Sequence, residues 1–468
     1  MKTLIKNGLI INPDTTFYGS VLIEDGLITE IGKIENINDG NVIDAKGDLV
    51  IPAGVDVHTH MDLDLGKFRA VDDFYSGSIA ALCGGTATIV DHIAFGPKNC
   101  ELNFMIDRYH KLADGKSLCD YSFHGVIQHV NESTFEEMKK LVEEGITSFK
   151  IYMTYDNRLS DEEILRVLNM ARELQATIAV HAENHGIVTY LRQYFGDNGY
   201  RKPIYHALSR PNVSESEAIN RMISLSEIAG YPNLYFVHVS TKEGLSEIIN
   251  ARRNGAKNIY GETCTQYLTL DMENYDRKDN EGVKYIMAPP LRTKEDIEAL
   301  WSGIKNKDID VIATDHCPFM LDEKLIAKDD FRLAPGGVGG VEERIEVILT
   351  EGVKRGISLN TLIERLCLNP SKIFGIKNKG SINIGNYADI TILKKQRYII
   401  EKSNRHSKSD YTVYEGFESH FKVDKVFLRG EIVVENGEIC DELKTGKFIQ
   451  RSLKLDDNFL LNDKEIKE

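Results

Sequence analysis

Two histidines separated by one residue, His58-Thr59-His60, open a set of side chains able to hold a divalent cation. His181, His238 and Asp315 follow, each closing a short apolar run, and Lys150 stands inside another, Thr147-Ser-Phe-Lys-Ile-Tyr152. Neutral imidazole together with carboxylate suits zinc or a similar ion. A free ammonium at Lys150 beside two cations would be repelled and costly to desolvate. A buried lysine that loses its proton can instead add carbon dioxide, and the resulting carbamate is an anionic ligand able to bridge two metals. Singly, these residues decide little. A histidine in an apolar strand is ordinarily a satisfied core residue, and a lysine at a strand end is ordinarily solvated or salt-bridged. They become a site only if one fold brings them together.

The elements around them predict such a fold. Eight short runs, at 55–58, 86–91, 121–126, 146–151, 177–181, 234–238, 259–263 and 311–315, are mostly apolar on both parities, as strands buried on both faces are. Amphipathic helices lie between them. Ile164, Leu168, Ala171 and Leu174 recur at helical spacing, Ser133-Thr-Phe-Glu136, Ser160-Asp-Glu-Glu163 and Ser214-Glu-Ser-Glu217 match the capping box, and Gly230 and Gly255 fit helix stops. Eight strand-then-helix units predict an α/β fold, a metal-dependent (β/α)8 TIM barrel, whose strands end at one mouth. His58 and His60 then share a face of strand one by period two, and His181, His238 and Asp315 end strands five, six and eight. Both chain ends have a different texture: short alternating strands with turn signals, including an Asn436-Gly437 hairpin. They are expected to pair into one β-sandwich, formed by 1–52 and 376–443, around a catalytic barrel at 53–375. Residues 444–468 read as a charged C-terminal tail available to an oligomer interface.

Composition narrows the partners. Of 468 residues, 57 are Lys or Arg and 72 are Asp or Glu, a formal net charge of −15. That disfavours a nucleic-acid backbone binder or a protein of anionic membrane surfaces. No run approaches membrane-spanning length, and the first residues read as strand and turn rather than as a leader, so a cytoplasmic location is expected. Seven cysteines without a CxxC pair fit free thiols in a reducing compartment.

The motif combination resembles the amidohydrolase superfamily, and within it the dihydropyrimidinase and hydantoinase branch. His58-Thr-His60, Lys150, His181-Ala-Glu-Asn184, His238-Val-Ser240 and Ala313-Thr-Asp-His-Cys-Pro318 carry the resemblance. Tyr205-His-Ala-Leu-Ser-Arg-Pro211, Gly261-Glu-Thr-Cys-Thr-Gln-Tyr-Leu268 and Pro289-Pro-Leu-Arg-Thr293 support it. It implies two zinc ions per subunit. His58, His60, Lys150 and Asp315 would hold the first, and His181 and His238 the second. Lys150 would bridge them as N6-carboxylysine, with a shared hydroxide, in a homotetramer acting in pyrimidine catabolism. The implied reaction is hydrolysis of the cyclic amide of 5,6-dihydropyrimidines or 5-substituted hydantoins to N-carbamoyl amino acids.

Asp315 is then expected to move the proton and Tyr155 to stabilise the oxyanion. By the same resemblance, the backbone at Ala288 and Gly336 holds the –CO–NH–CO– edge of the ring, although relatives usually carry serine and asparagine there. Leu63, Leu65, Tyr152 and Leu159 match positions that gate the exocyclic substituent. Asp64 replaces a proline common in relatives. It reads as a surface carboxylate or, alternatively, as a determinant for cationic substituents. Dihydroorotases carry an arginine where this chain has Asp62, which disfavours that substrate. An allantoinase-like activity is the nearer alternative. A non-catalytic tetrameric homologue is the distant one, since such proteins have lost ligands that are all retained here.

Overall fold

The computed structural model of the protein describes residues 2–441 and 446–453. Eight parallel strands pair in chain order, from Gly54–Thr59 through Thr86–His92, Asp120–Val126, Ser148–Tyr152, Thr177–His181, Asn233–Phe236 and Ile259–Cys264 to Val311–Ala313. A parallel bridge between Thr59 and His316 joins the segment just after the last strand to the first strand. Ile89, Phe123, Phe149, Ile178, Phe236 and Ile312 are buried in one core cluster shared by the strands and the surrounding helices. The (β/α)8 barrel is therefore the fold of the middle of the chain.

The two ends meet in a nine-stranded mixed sheet. Leu49–Pro52 lies between Lys2–Ile11 and Ile390–Lys394, with Val50 opposite Ile392. Ile5, Ile10, Val21, Ile23, Val50, Ile390, Ile392 and Phe427 form its separate small core. Chain entry and exit thus lie side by side at the barrel.

Local details depart from the sequence reading at several points. Strands six and eight stop at Phe236 and Ala313, so His238 and Asp315 stand two residues beyond them rather than closing them. Both have positive φ, 42° and 53°, a left-handed turn that takes the backbone out of the ladder. Only the Ser160–Glu163 capping box forms as read. The preceding helix, Glu132–Glu143, is capped two residues earlier by Asn131 and Thr134. Ser214 lies inside Asn212–Ile228, its hydroxyl bonded back to the Pro211 carbonyl. Gly230 and Gly255 do follow helix ends with positive φ.

Residues 446–453 are not a free tail. Phe448 bridges to Tyr121, and buried Arg451 donates to Ser122 Oγ, Ser148 Oγ and the Phe123 carbonyl. The rest of the expected tail, apart from these residues, lies outside the described residues. All seven cysteines are free. Among the described residues no helix is long and apolar enough to cross a membrane.

Candidate active site

The expected ligands converge. His58 Nε2 and His60 Nε2 lie 3.0 and 3.1 Å from the same oxygen, Asp315 Oδ1. His238 Nε2 lies 2.9 Å from His181 Nδ1, and the His58 and His238 ring centroids are 5.4 Å apart. His58 is fully buried, while His60 and Asp315 side chains keep 12% and 13% exposure, so the cluster opens on their side.

The buried neighbours orient each ring. Glu262 Oε1 accepts from His58 Nδ1 at 2.7 Å, the His92 carbonyl accepts from His60 Nδ1 at 3.2 Å, and Glu183 Oε2 accepts from His181 Nε2 at 2.7 Å. Those contacts fix the proton on the nitrogen facing away from the cluster. In the neutral rings, His58 Nε2, His60 Nε2 and His181 Nδ1 then turn their lone pairs inward, as metal-binding histidines require. Buried His58 Nε2 faces the Asp315 carboxylate at 3.0 Å, a nitrogen–carboxylate pairing that suits a shared cation. The donor set therefore fits a divalent ion. A second grouping, His58 with Glu262 and Cys264, is less suited. Glu262 already serves His58, the Tyr235 hydroxyl at 2.8 Å and the His238 amide at 2.9 Å.

Electrostatics follow from this packing. Burial opposes the Asp315 carboxylate, yet His58 and His60 hold its pKa well below the usual range. Burial opposes His58 too, but Glu262 and Asp315 lift it to about 9. His238 is pushed well down by burial and then by His181 and Lys150. Lys150, in strand four, is 1% exposed, and burial lowers its pKa to about 8. Its Nζ lies 5.5 Å from the Tyr152 ring centroid.

Tyr155 follows strand four with φ 71°, its ring 5.2 Å from that of His181. Tyr152 stacks beside the same imidazole at 5.7 Å. Leu63 is half-buried and Leu65 is 46% exposed. Leu159, expected at the gate, is 5% exposed and packs in the main core. Asp64 behaves as a surface carboxylate: it accepts the Gly66 amide at 2.8 Å and lies 3.4 Å from Arg108. Gly336 faces Ala288, with a Cβ built on Gly336 falling 3.9 Å from the Ala288 nitrogen. Their loops are tied by the Gly337 amide on the Ile286 carbonyl at 3.2 Å, and the Gly336 loop reaches strand eight through Cys317 N on the Val338 carbonyl at 2.8 Å.

Several buried groups escaped the reading of the sequence. Glu183 pairs with Arg210, and burial is outweighed by Arg210 and His181 so that its pKa falls to about 2. Glu215 accepts from the amides and hydroxyls of Ser240 and Thr241, just past His238. For Glu183 and Arg210 the signal was present as charged residues inside largely apolar or small-residue segments, a costly placement unless paired.

Residues 49–433 match the model of the amidohydrolase family. The chain is 41% identical over 456 residues to a D-phenylhydantoinase of Escherichia coli O1:K1 / APEC, covering 96% of this chain and 98% of that protein. It superposes on the crystal structure of dihydropyrimidinase from Brevibacillus agri NCHU1002 with a TM-score of 0.94 at 37% identity, covering 97% of this chain and 100% of that one. The L-hydantoinase (dihydropyrimidinase) from Arthrobacter aurescens gives a TM-score of 0.88 at 28% identity, over 96% and 99% of the two chains. With the inward-facing imidazoles, the barrel and this near full-length likeness in agreement, the chain belongs to the amidohydrolase family.

Proposed function

We propose that this protein hydrolyses the cyclic amide bond of 5,6-dihydropyrimidines and 5-substituted hydantoins, opening the ring to N-carbamoyl amino acids. The observation that carries the reading is the meeting of His58 and His60 on one Asp315 oxygen beside the His181–His238 pair, in a chain so close to a D-phenylhydantoinase. The residues fit two divalent ions, zinc by donor type. His58, His60 and Asp315 would hold one, His181 and His238 the other, and carboxylated Lys150 would join both. When bound, such ions acidify a shared water and polarise a carbonyl oxygen.

The chain's own groups do the rest. Asp315, kept ionised by its histidines, takes the proton of the attacking water and returns it to the ring nitrogen as the C–N bond breaks. Water thus ends as hydroxyl on the carbonyl carbon and hydrogen on the nitrogen. Burial, against the pull of Arg210, raises the Tyr155 pKa to about 12, so its hydroxyl stays a donor for the developing oxyanion. The backbones of Ala288 and Gly336 hold the imide edge. Among the described residues neither makes an internal backbone hydrogen bond, which leaves their N–H and C=O groups for a ligand. Leu63, Leu65 and Tyr152 border the substituent. We place the enzyme in the cytoplasm as a homotetramer.

The test joins metal analysis to a substrate panel of dihydrouracil, hydantoin, 5-substituted D- and L-hydantoins and allantoin. Turnover of the first three classes by protein carrying two zinc ions is expected. Faster turnover of allantoin would favour the allantoinase alternative. A well-folded protein without metal, inactive after zinc and bicarbonate, would favour the non-catalytic one.

A further inference from the structure

Lys324 is fully buried in the short helix Leu321–Leu325, and its ammonium forms no ion pair among the described residues. Nζ instead donates to three backbone carbonyls: Ile286 at 2.7 Å, Pro335 at 2.8 Å and Gly337 at 2.6 Å. The Phe319 ring centroid lies 5.5 Å away. Burial lowers the Lys324 pKa to about 7, and in the protonated form its three donors match the three acceptors, which no neutral side chain of similar length offers. The acceptors belong to two loops and flank Ala288 on one and Gly336 on the other.

Buried donors hold the remaining carbonyls of the first loop. His206 Nε2 donates to Met287 O at 2.7 Å and the Tyr267 hydroxyl to Pro289 O at 2.8 Å. In the run from Ile286 to Pro289, Ala288 alone keeps a free carbonyl among the described residues. On the other loop, Pro335 and Gly337 are taken by Lys324 and Gly336 is left free. Neither Ala288 nor Gly336 has a polar side chain, so recognition there depends on backbone spacing.

We propose that Lys324 is a positioning residue that sets the separation and orientation of the Ala288 and Gly336 backbone, and through it the fit of the ring's –CO–NH–CO– edge. This rests on the cyclic-amide reading above. Lys324 touches no reacting atom. It acts by cross-linking the two loops that carry the edge, so its loss weakens ring binding more than the chemical step.

The experiment compares Lys324→Met with wild type in the full-length, zinc-loaded protein. KM for hydantoin and dihydrouracil is expected to rise at least tenfold, with kcat within threefold and zinc content unchanged. The Gly337 amide, now bonded to Ile286 O, should exchange with deuterium faster in the variant. Lys324→Gln, which keeps part of the donor set, should give an intermediate KM and serves if the methionine variant folds poorly. A parallel fall in kcat and active fraction at unchanged KM would overturn the proposal, as would unchanged Gly337 exchange. If wild type bound none of these rings, the cyclic-amide reading would fall. Gly337 exchange would then judge the clamp: retained protection rejects it, and lost protection supports it.

Discussion

Glu262 Oε1 sits 2.7 Å from His58 Nδ1, and both side chains are fully buried. The same carboxylate takes the His238 amide, so one residue on strand seven orients a histidine of strand one and the backbone beside another after strand six. Glu262→Ala should therefore lower metal affinity about 10–100-fold, as loss of an orienting partner does. Glu262→Gln keeps an acceptor for His58 and should lose less. Chelator competition measures both, and an alanine variant with wild-type affinity would remove this role from Glu262.

Lys150 has the burial that a carbamate needs. Its pKa near 8 leaves a large neutral fraction at mildly alkaline pH, whereas an ordinary lysine at 10.5 leaves little. Uptake of zinc by metal-free protein in bicarbonate should accelerate as pH rises through 8, because the neutral amine is the reactive form. Lys150→Ala should bind neither ion as a pair and be inactive, with partial recovery in short carboxylic acids. Full activity without rescue would sink the carbamate.

Much of this centre was legible in the sequence because the ligands obey simple local rules. Thr177–His181 is an apolar strand whose last residue is the candidate ligand, and His58-Thr59-His60 follows period two. His238 and Asp315 were found as residues but misplaced as strand ends, since their left-handed turns leave no mark on the apolar pattern. Lys324 and Glu215 were missed for another reason. Each stands near other charges, Lys324 after Asp322 and Glu323 and Glu215 two residues before Glu217, and only the tertiary fold buries it against carbonyls or hydroxyls. Ser133 and Ser214 misled in the opposite direction, because a serine three residues before a glutamate caps a helix only if the chain enters there.

The Glu183–Arg210 pair should make acid stability measurable. Glu183 falls from 4.5 unfolded to about 2 folded, so its contribution is fully present above pH 4.5 and is lost as pH drops toward 2. The size is on the order of 3 kcal/mol. Glu183→Gln leaves Arg210 buried without its carboxylate and should be less stable at pH 7 by a similar amount. Denaturation at stepped pH should show the gap between the two proteins closing between pH 4.5 and 2. A gap independent of pH would mean that Glu183 is not held ionised by this pair.

Tyr155→Phe removes a hydroxyl and little else, since the ring still packs 5.2 Å from His181. If that hydroxyl meets the developing oxyanion, kcat should fall about 10²–10³-fold, the cost of one such donor. KM and zinc content should stay near wild type. A kcat within twofold of wild type would assign the residue to packing.

Gly336 offers a test in which stability and binding separate. Its φ lies outside the left-handed region, and a Cβ there meets only the Ala288 nitrogen, at 3.9 Å. An asparagine should therefore fit without strain, and Gly336→Asn should stabilise the fold by roughly 0.4–1 kcal/mol by restricting the unfolded chain. Its side chain would lie against the same backbone edge that Lys324 holds from behind, so KM for hydantoin should change while kcat does not. Thermal denaturation and steady-state kinetics on the single variant check both halves. A more stable protein with unaltered KM would place the ring edge away from Gly336, whereas a destabilised one would show that the loop needs glycine for a reason other than space.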